Sequence, residues 1–130
     1  MDTTKKQILV VEDSQDLREL IIRMLVLENY DILIAKDGEE ALEIIKLHKL
    51  DLMLLDIMMP GKSGLEVLEE IRASKDSKIK ELPIVMVTAR SSIDDVDAAL
   101  FAGATSYIVK PFRAAALKSK IQGIFDSLGN

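Results

Sequence analysis

The chain has 130 residues, of which 48% are hydrophobic and none is cysteine, and its formal net charge is −5. That length fits one domain, spanning 1–130, with a proper core, and the lack of cysteine excludes a disulfide framework and thiolate metal sites, in keeping with a reducing, cytoplasmic setting. No apolar run approaches the roughly 18 residues of a membrane span, and 22 acidic against 17 basic side chains disfavour direct binding to nucleic acid or anionic membranes, which leaves proteins as the expected partners.

Along the chain, short β-branched or leucine-rich runs alternate with longer segments of helical apolar spacing, as in βαβ units around a parallel sheet. The first strand is expected at residues 8–11, followed at once by Glu12 and Asp13. Ser14 suits the N-cap of a helix over residues 14–28, in which Leu17, Leu20, Ile21, Met24 and Leu25 form a core stripe. A second strand at residues 32–35 leads through Lys36, Asp37 and Gly38, which read as a turn and helix start, into a helix ending at His48. That histidine sits where a positive charge favours the helix dipole.

The third strand, residues 52–55, is apolar at consecutive positions, as a strand covered on both faces should be. Asp56 closes it, and a helix is expected over residues 64–74. The polar stretch "SKDSKIKELP" reads as a surface loop. A fourth strand at residues 84–87 ends on Thr88, and a helix over residues 92–102 follows, with Val96, Ala99, Leu100 and Gly103 at core spacing. The fifth strand, residues 107–109, ends on Lys110. The last helix, residues 113–128, turns Leu117, Ile121, Ile124 and Leu128 inward, and Gly123 weakens it by about 1 kcal/mol relative to alanine. Met24, Met53, Met58, Met59 and Met86 lie in or beside apolar segments and read as core fillers.

In a parallel sheet, the residues just past the strand ends gather along one edge, where open α/β folds bind ligands. Glu12, Asp13, Asp56, Thr88 and Lys110 should therefore converge. Clustered carboxylates raise one another's pKa unless a cation sits among them. A hard divalent ion with oxygen ligands answers that demand, and Mg²⁺ suits it because it takes one or two carboxylates, keeps waters and accepts a phosphate oxygen. Asp13 and Asp56 are then expected as direct ligands, with Glu12 acting through water. Lys110 and Thr88 supply a positive charge and a hydrogen-bond donor for an incoming phosphoryl group. A rigid strand end can hold Asp56 as a nucleophile in line with the phosphorus of a donor.

Several segments in this order resemble the receiver domain of a two-component response regulator, of the chemotaxis-regulator type. They are "VVEDS" for the acidic pair, "LLDIMMPGKSG" for the phosphoacceptor strand and loop, "VTAR" for the hydroxyl position and "AGATSYIVKPF" for the aromatic and lysine-proline segment. The resemblance covers essentially the whole chain. It implies a flavodoxin-like α/β fold, (βα)5, with a doubly wound five-stranded parallel sheet in the order 2-1-3-4-5. It implies that Asp56 accepts a phosphoryl group from a histidine kinase, a histidine phosphotransfer protein or a small phosphodonor, with only slow self-catalysed chemistry of its own. It also implies that Glu12, Asp13, Asp56 and the backbone carbonyl of Met58 hold Mg²⁺ or Mn²⁺, that Lys110 pairs with the phosphoryl group, and that Thr88 and Tyr107 act as the switch. The Lys110–Pro111 bond is implied to be cis. Met58 and Arg90 stand where the family varies, and Thr105 and Ser106 replace the acidic or polar pair common before the aromatic.

Other classes fit less well. Phosphatases with an aspartyl nucleophile resemble a pattern with a second aspartate two residues later, where this chain has Met58. A nucleotide- or flavin-binding module wants a glycine-rich turn after the first strand, where this chain reads "EDSQD". The last helix ends with the sequence, so the expectation is either a stand-alone regulator or a receiver belonging to a longer DNA-binding regulator or hybrid kinase.

Leu17, Leu20 and Phe112 match the positions that flank the site in the family and are expected to meet the phosphodonor protein. Phe101 lies three, four and seven residues after Ala98, Asp97 and Asp94, on the acidic outward side of its helix. It is expected either to form a partner or self-association surface controlled by phosphorylation, or to tuck back against a neighbouring helix.

Overall fold

The structure, a computed structural model, describes residues 5–89 and 93–128. Arg90 and Ser92, the expected start of a helix, lie outside the described residues. The strands are β1 (Gln7–Val11), β2 (Asp31–Ala35), β3 (Leu52–Asp56), β4 (Ile84–Thr88) and β5 (Ser106–Val109). The helices are α1 (Gln15–Leu25), α2 (Gly38–Leu47), α3 (Gly64–Arg72), α4 (Ser77–Lys80), α5 (Ile93–Phe101) and α6 (Ala114–Ser127). All strands pair in parallel, in the order β2-β1-β3-β4-β5. The expected α/β fold and strand order are therefore present.

The consecutive apolar runs are explained by burial on both faces. Leu9, Val11, Met53, Leu55, Ile84 and Met86 join one core, with Ala41, Val67, Leu68 and Ala99 from α2, α3 and α5. Alternate residues, Ile8, Val10, Leu52, Leu54, Val85 and Val87, join the other, with Ile21 and Leu25 of α1 and Leu117, Ile121 and Phe125 of α6. A period of two thus divides each strand between two layers of helices.

Local chemistry sets the helix starts. Ser14 caps α1 by accepting from the Leu17 N–H, and Asp37 caps α2 by accepting from the Glu40 N–H. Ser63 and Glu66 form a reciprocal capping box at α3.

Several expectations need correction. The first helix ends at Leu25, and residues 26–28 tighten into a 3₁₀ turn that closes on Asn29 in the left-handed region. The stretch read as a loop contains α4, a single turn capped by Asp76. Leu20 and Leu100 are exposed, so the inward stripes of α1 and α5 are narrower than expected. Leu128 is exposed and Phe125 takes its place, with its ring edge-on to Tyr30 at 5.9 Å. Met58 is 54% exposed and fills no core space. Phe101 is 95% exposed, which removes the reading in which its ring tucks against a neighbour.

Candidate functional site

Register brings the carboxylates together. Val11 pairs with Leu55 across β1 and β3, so Glu12 and Asp56 fall on the next rung, at the C-terminal edge of adjacent strands. The Glu12 N–H donates to the Ala35 carbonyl at 3.0 Å, continuing the β1–β2 ladder, and the Ile57 N–H donates to Val87 at 3.2 Å, tying β3 to β4. On the other side of β4, Thr88 pairs with Val109, and the Lys110 N–H donates to the Thr88 carbonyl at 2.7 Å. Backbone bonds therefore fix the positions of Glu12, Asp56, Thr88 and Lys110 before any side chain is placed.

The side chains follow. Carboxylate oxygens of Glu12, Asp13 and Asp56 lie within 4.8 Å of one another. The Lys110 Nζ reaches Glu12 Oε1 at 3.2 Å and Asp56 Oδ2 at 3.3 Å. The other Asp56 oxygen accepts from the Met58 N–H at 3.1 Å, and Glu12 Oε2 accepts from the Ser14 N–H at 3.1 Å. Glu12, Asp56 and Thr88 are buried, whereas Asp13 is exposed at the mouth. Burial, the largest cause, pushes the Glu12 carboxyl up to about 7, and the charge of Asp56 adds to it, against the Ser14 N–H and Lys110, which pull it down. A buried carboxylate pair with one lysine between them is short of positive charge.

The donor set fits a hard divalent ion. An octahedral Mg²⁺ with oxygens at about 2.1 Å separates its ligand atoms by roughly 3 to 4.2 Å, and one oxygen from each of these three carboxylates lies within 4.8 Å of the others. All three are hard oxygen donors, and no thiolate or imidazole stands among them.

Tyr107 is half-buried on β5 beside the first core, and the Lys120 Nζ sits 5.7 Å from its ring centroid. The Lys110–Pro111 bond is cis, as expected. Leu17, Leu20, Met24, Ala89, Lys110 and Phe112 line an apolar hollow of about 370 Å³ beside the carboxylates. The three residues expected to meet a phosphodonor protein thus share one surface. Phe101 lies elsewhere, on α5 with Asp94, Asp97 and Leu100.

Sequence reading missed three residues that hold the site's frame. The Arg18 Nη1 donates to the carbonyls of Glu12 at 2.8 Å and Asp13 at 3.3 Å, fastening the acidic turn to α1. An arginine one turn after an N-cap is the only hint the sequence offers. Gly64 packs directly on Asp56: a Cβ there would lie 2.2 Å from the Asp56 carbonyl oxygen and 2.7 Å from the Ile57 Cα. Lys62, in the loop between them, pairs with Glu70 of α3 and, at 3.6 Å, with Glu39 of α2.

A model of the response regulator receiver domain matches residues 8–122. The chain belongs to that family. The receiver is 43% identical over 115 residues to the uncharacterized transcriptional regulatory protein YrkP of Bacillus subtilis, covering 88% of this chain and 47% of the relative. It is 39% identical over 118 residues to the response regulator MprA of Mycolicibacterium vanbaalenii, covering 91% and 49%. The chain therefore spans about half the length of these relatives. Among solved structures, the chemotaxis response regulator CheY4 of Vibrio cholerae superposes with a TM-score of 0.86 at 30% identity, over 93% of this chain and 99% of that one. A two-component response regulator from Clostridium difficile gives a TM-score of 0.88 at 25% identity, over 97% and 100%. Among the described residues, no helix is long and apolar enough to cross a membrane.

Proposed function

We propose that this receiver takes a phosphoryl group from a phosphohistidine protein, or from a small acyl phosphate, onto Asp56 in a reaction that needs Mg²⁺ or Mn²⁺. The observation that carries the reading is the buried Asp56 carboxylate held at a strand end among Glu12, Asp13 and Lys110. An oxygen of Asp56 attacks phosphorus, the bond from phosphorus to the donor nitrogen or oxygen breaks, and the donor leaves with that electron pair. The product is an acyl phosphate on Asp56. Glu12, Asp13, Asp56 and the Met58 carbonyl hold the metal, which supplies positive charge against the carboxylates and the incoming phosphoryl oxygens. Lys110 leaves its carboxylate partners to pair with the new phosphoryl group. Thr88 donates to the same group, and Tyr107 responds on the neighbouring strand. The chain has no turnover role beyond its own phosphorylation and slow hydrolysis of the product.

Incubation with Mg²⁺ and a small acyl phosphate should add one phosphate by intact mass, and excess chelator should prevent it. Equal phosphate gain in chelator contradicts the metal requirement.

The hollow between α1 and the segment after β5 supports a docking role for Leu17, Leu20 and Phe112 toward the phosphohistidine protein. Leu17→Ala should slow transfer from a cognate phosphohistidine protein about tenfold, an interface residue's share, and leave transfer from a small donor nearly unchanged. Equal slowing of both would mark a packing defect.

Phe101 supports a second contact surface, for a downstream protein or a second copy, that forms on phosphorylation. Phe101→Ala should leave stability within about 0.5 kcal/mol, since the ring contributes little to the core, and should weaken phosphorylation-dependent association measured by sedimentation or pull-down. Unchanged association removes Phe101 from that surface. The names and lengths of the curated relatives favour a second setting, in which this receiver controls a DNA-binding output carried on additional sequence.

A further inference from the structure

At the edge of the sheet opposite Asp56, positive charge collects against the chain's overall sign. Lys46 in the last turn of α2, with His48 and Lys49 just beyond it, is exposed, and Lys78 of α4 stands across a hollow of about 470 Å³ whose apolar lining includes Ile79 and Leu82. A second hollow, of about 620 Å³, shares Leu47, His48 and Lys49 with the first and runs on to Lys5 and Lys6. Together they make one trough crossing the N-terminal ends of β1, β3 and β4.

The charges along the trough are unevenly committed. Asp76 is taken up by the Lys78 N–H at 2.9 Å, Asp51 by the Gln7 N–H at 2.7 Å, and Asp31 by Gln7 and Lys5. The side chains of Lys46, His48, Lys49 and Lys78, by contrast, make no hydrogen bond or ion pair among the described residues. On the ridge between the two hollows Leu47 is 77% exposed. The uncommitted lysines of that row, with a leucine in their midst on a chain of net charge −5, are the complement of an acidic segment that carries apolar side chains.

We propose that this trough docks an extended acidic segment of a partner protein, its carboxylates along Lys46, Lys49 and Lys78 and one apolar side chain seated between Leu47 and Ile79. A small anion fits less well, because the cations are strung along two hollows instead of converging on one point. Nucleic acid offers no apolar side chain for the seat between Leu47 and Ile79. The trough lies a strand's length, about 17 Å, from the carboxylate cluster, so docking is independent of Asp56.

The test is an amide-resolved NMR titration with a short synthetic peptide of glutamates interspersed with leucines, beside a control in which lysines replace the glutamates. The acidic peptide should shift amides in residues 46–49 and 78–82, in wild type and in Asp56→Asn alike. Lys46→Glu with Lys49→Glu, both at exposed positions, should weaken binding about tenfold. Leu47→Ala should weaken it while leaving its salt dependence unchanged, since it removes apolar contact and no charge. Shifts elsewhere, an equal response to the lysine peptide, or full affinity in the double variant would overturn the proposal. The same amides shifting on protein concentration alone would also overturn it, by assigning the trough to a second copy of this chain.

Discussion

Lys110→Met is expected to destabilise the metal-free receiver by roughly 2–4 kcal/mol, because it strips the one cation from a buried pair of carboxylates while keeping most of the stem's packing. Lys110 Nζ stands 3.2 Å from Glu12 and 3.3 Å from Asp56, whose side chains are only 3% and 4% exposed. The ammonium itself keeps some contact with water, so the loss falls short of that for a wholly enclosed pair. Thermal or urea unfolding in chelator measures it. Added Mg²⁺ should recover much of the deficit, since a divalent ion among the same carboxylates replaces the missing charge. A Lys110→Met protein as stable as wild type in chelator would show that Glu12 and Asp56 do not depend on that lysine. The variant should also lose the conformational response to phosphorylation, because it removes the ammonium proposed to pair with the phosphoryl group while its backbone N–H still holds the Thr88 carbonyl.

Gly64→Ala should be as damaging, for a steric reason. The added methyl would fall 2.2 Å from the Asp56 carbonyl oxygen and 2.9 Å from its carbonyl carbon, both backbone atoms with no rotamer to yield. The Gly64 N–H also donates to the Ile57 carbonyl at 2.9 Å, so α3 cannot slide away without breaking that bond. Overpacking of this kind costs about 1–3 kcal/mol, and here the displaced group is the strand end that aims the nucleophile. A fall in the unfolding midpoint together with slower phosphorylation from a small donor is expected. Wild-type stability with a wild-type rate would show that the loop relaxes freely.

The site was legible in the sequence because the backbone alone determines most of it. In a parallel sheet, residues at or one step past paired strand ends must be neighbours: Asp56 and Thr88 end β3 and β4, and Glu12 and Lys110 follow β1 and β5 directly. Side-chain partners are set by tertiary approach, which no periodicity encodes. Arg18 reaches back to the acidic turn, and Arg72 spans from α3 to the carbonyls of Gly103 and Lys80, its guanidinium lowered from its ordinary pKa by burial. The helix stripes were read too wide for a related reason. Helical spacing says which residues share a face, while the neighbours decide how much of that face is covered. Leu20 borders the open hollow beside Phe112, and Leu100 sits on the flank of α5 with Phe101, so both remain exposed although they hold core spacing. In α6 the choice between Leu128 and Phe125 was settled by Tyr30, whose ring lies on Phe125 from outside the helix.

The central claim is that Asp56 is the phosphoacceptor. It is tested most directly by exposing wild type and Asp56→Asn to the same small acyl phosphate with Mg²⁺, weighing both intact, and locating the added phosphate by peptide mapping. Wild type should gain one phosphate, carried on the peptide containing Asp56, and Asp56→Asn should gain none. An equal gain in Asp56→Asn, or a phosphate mapped to any other peptide of the wild type, would contradict the account.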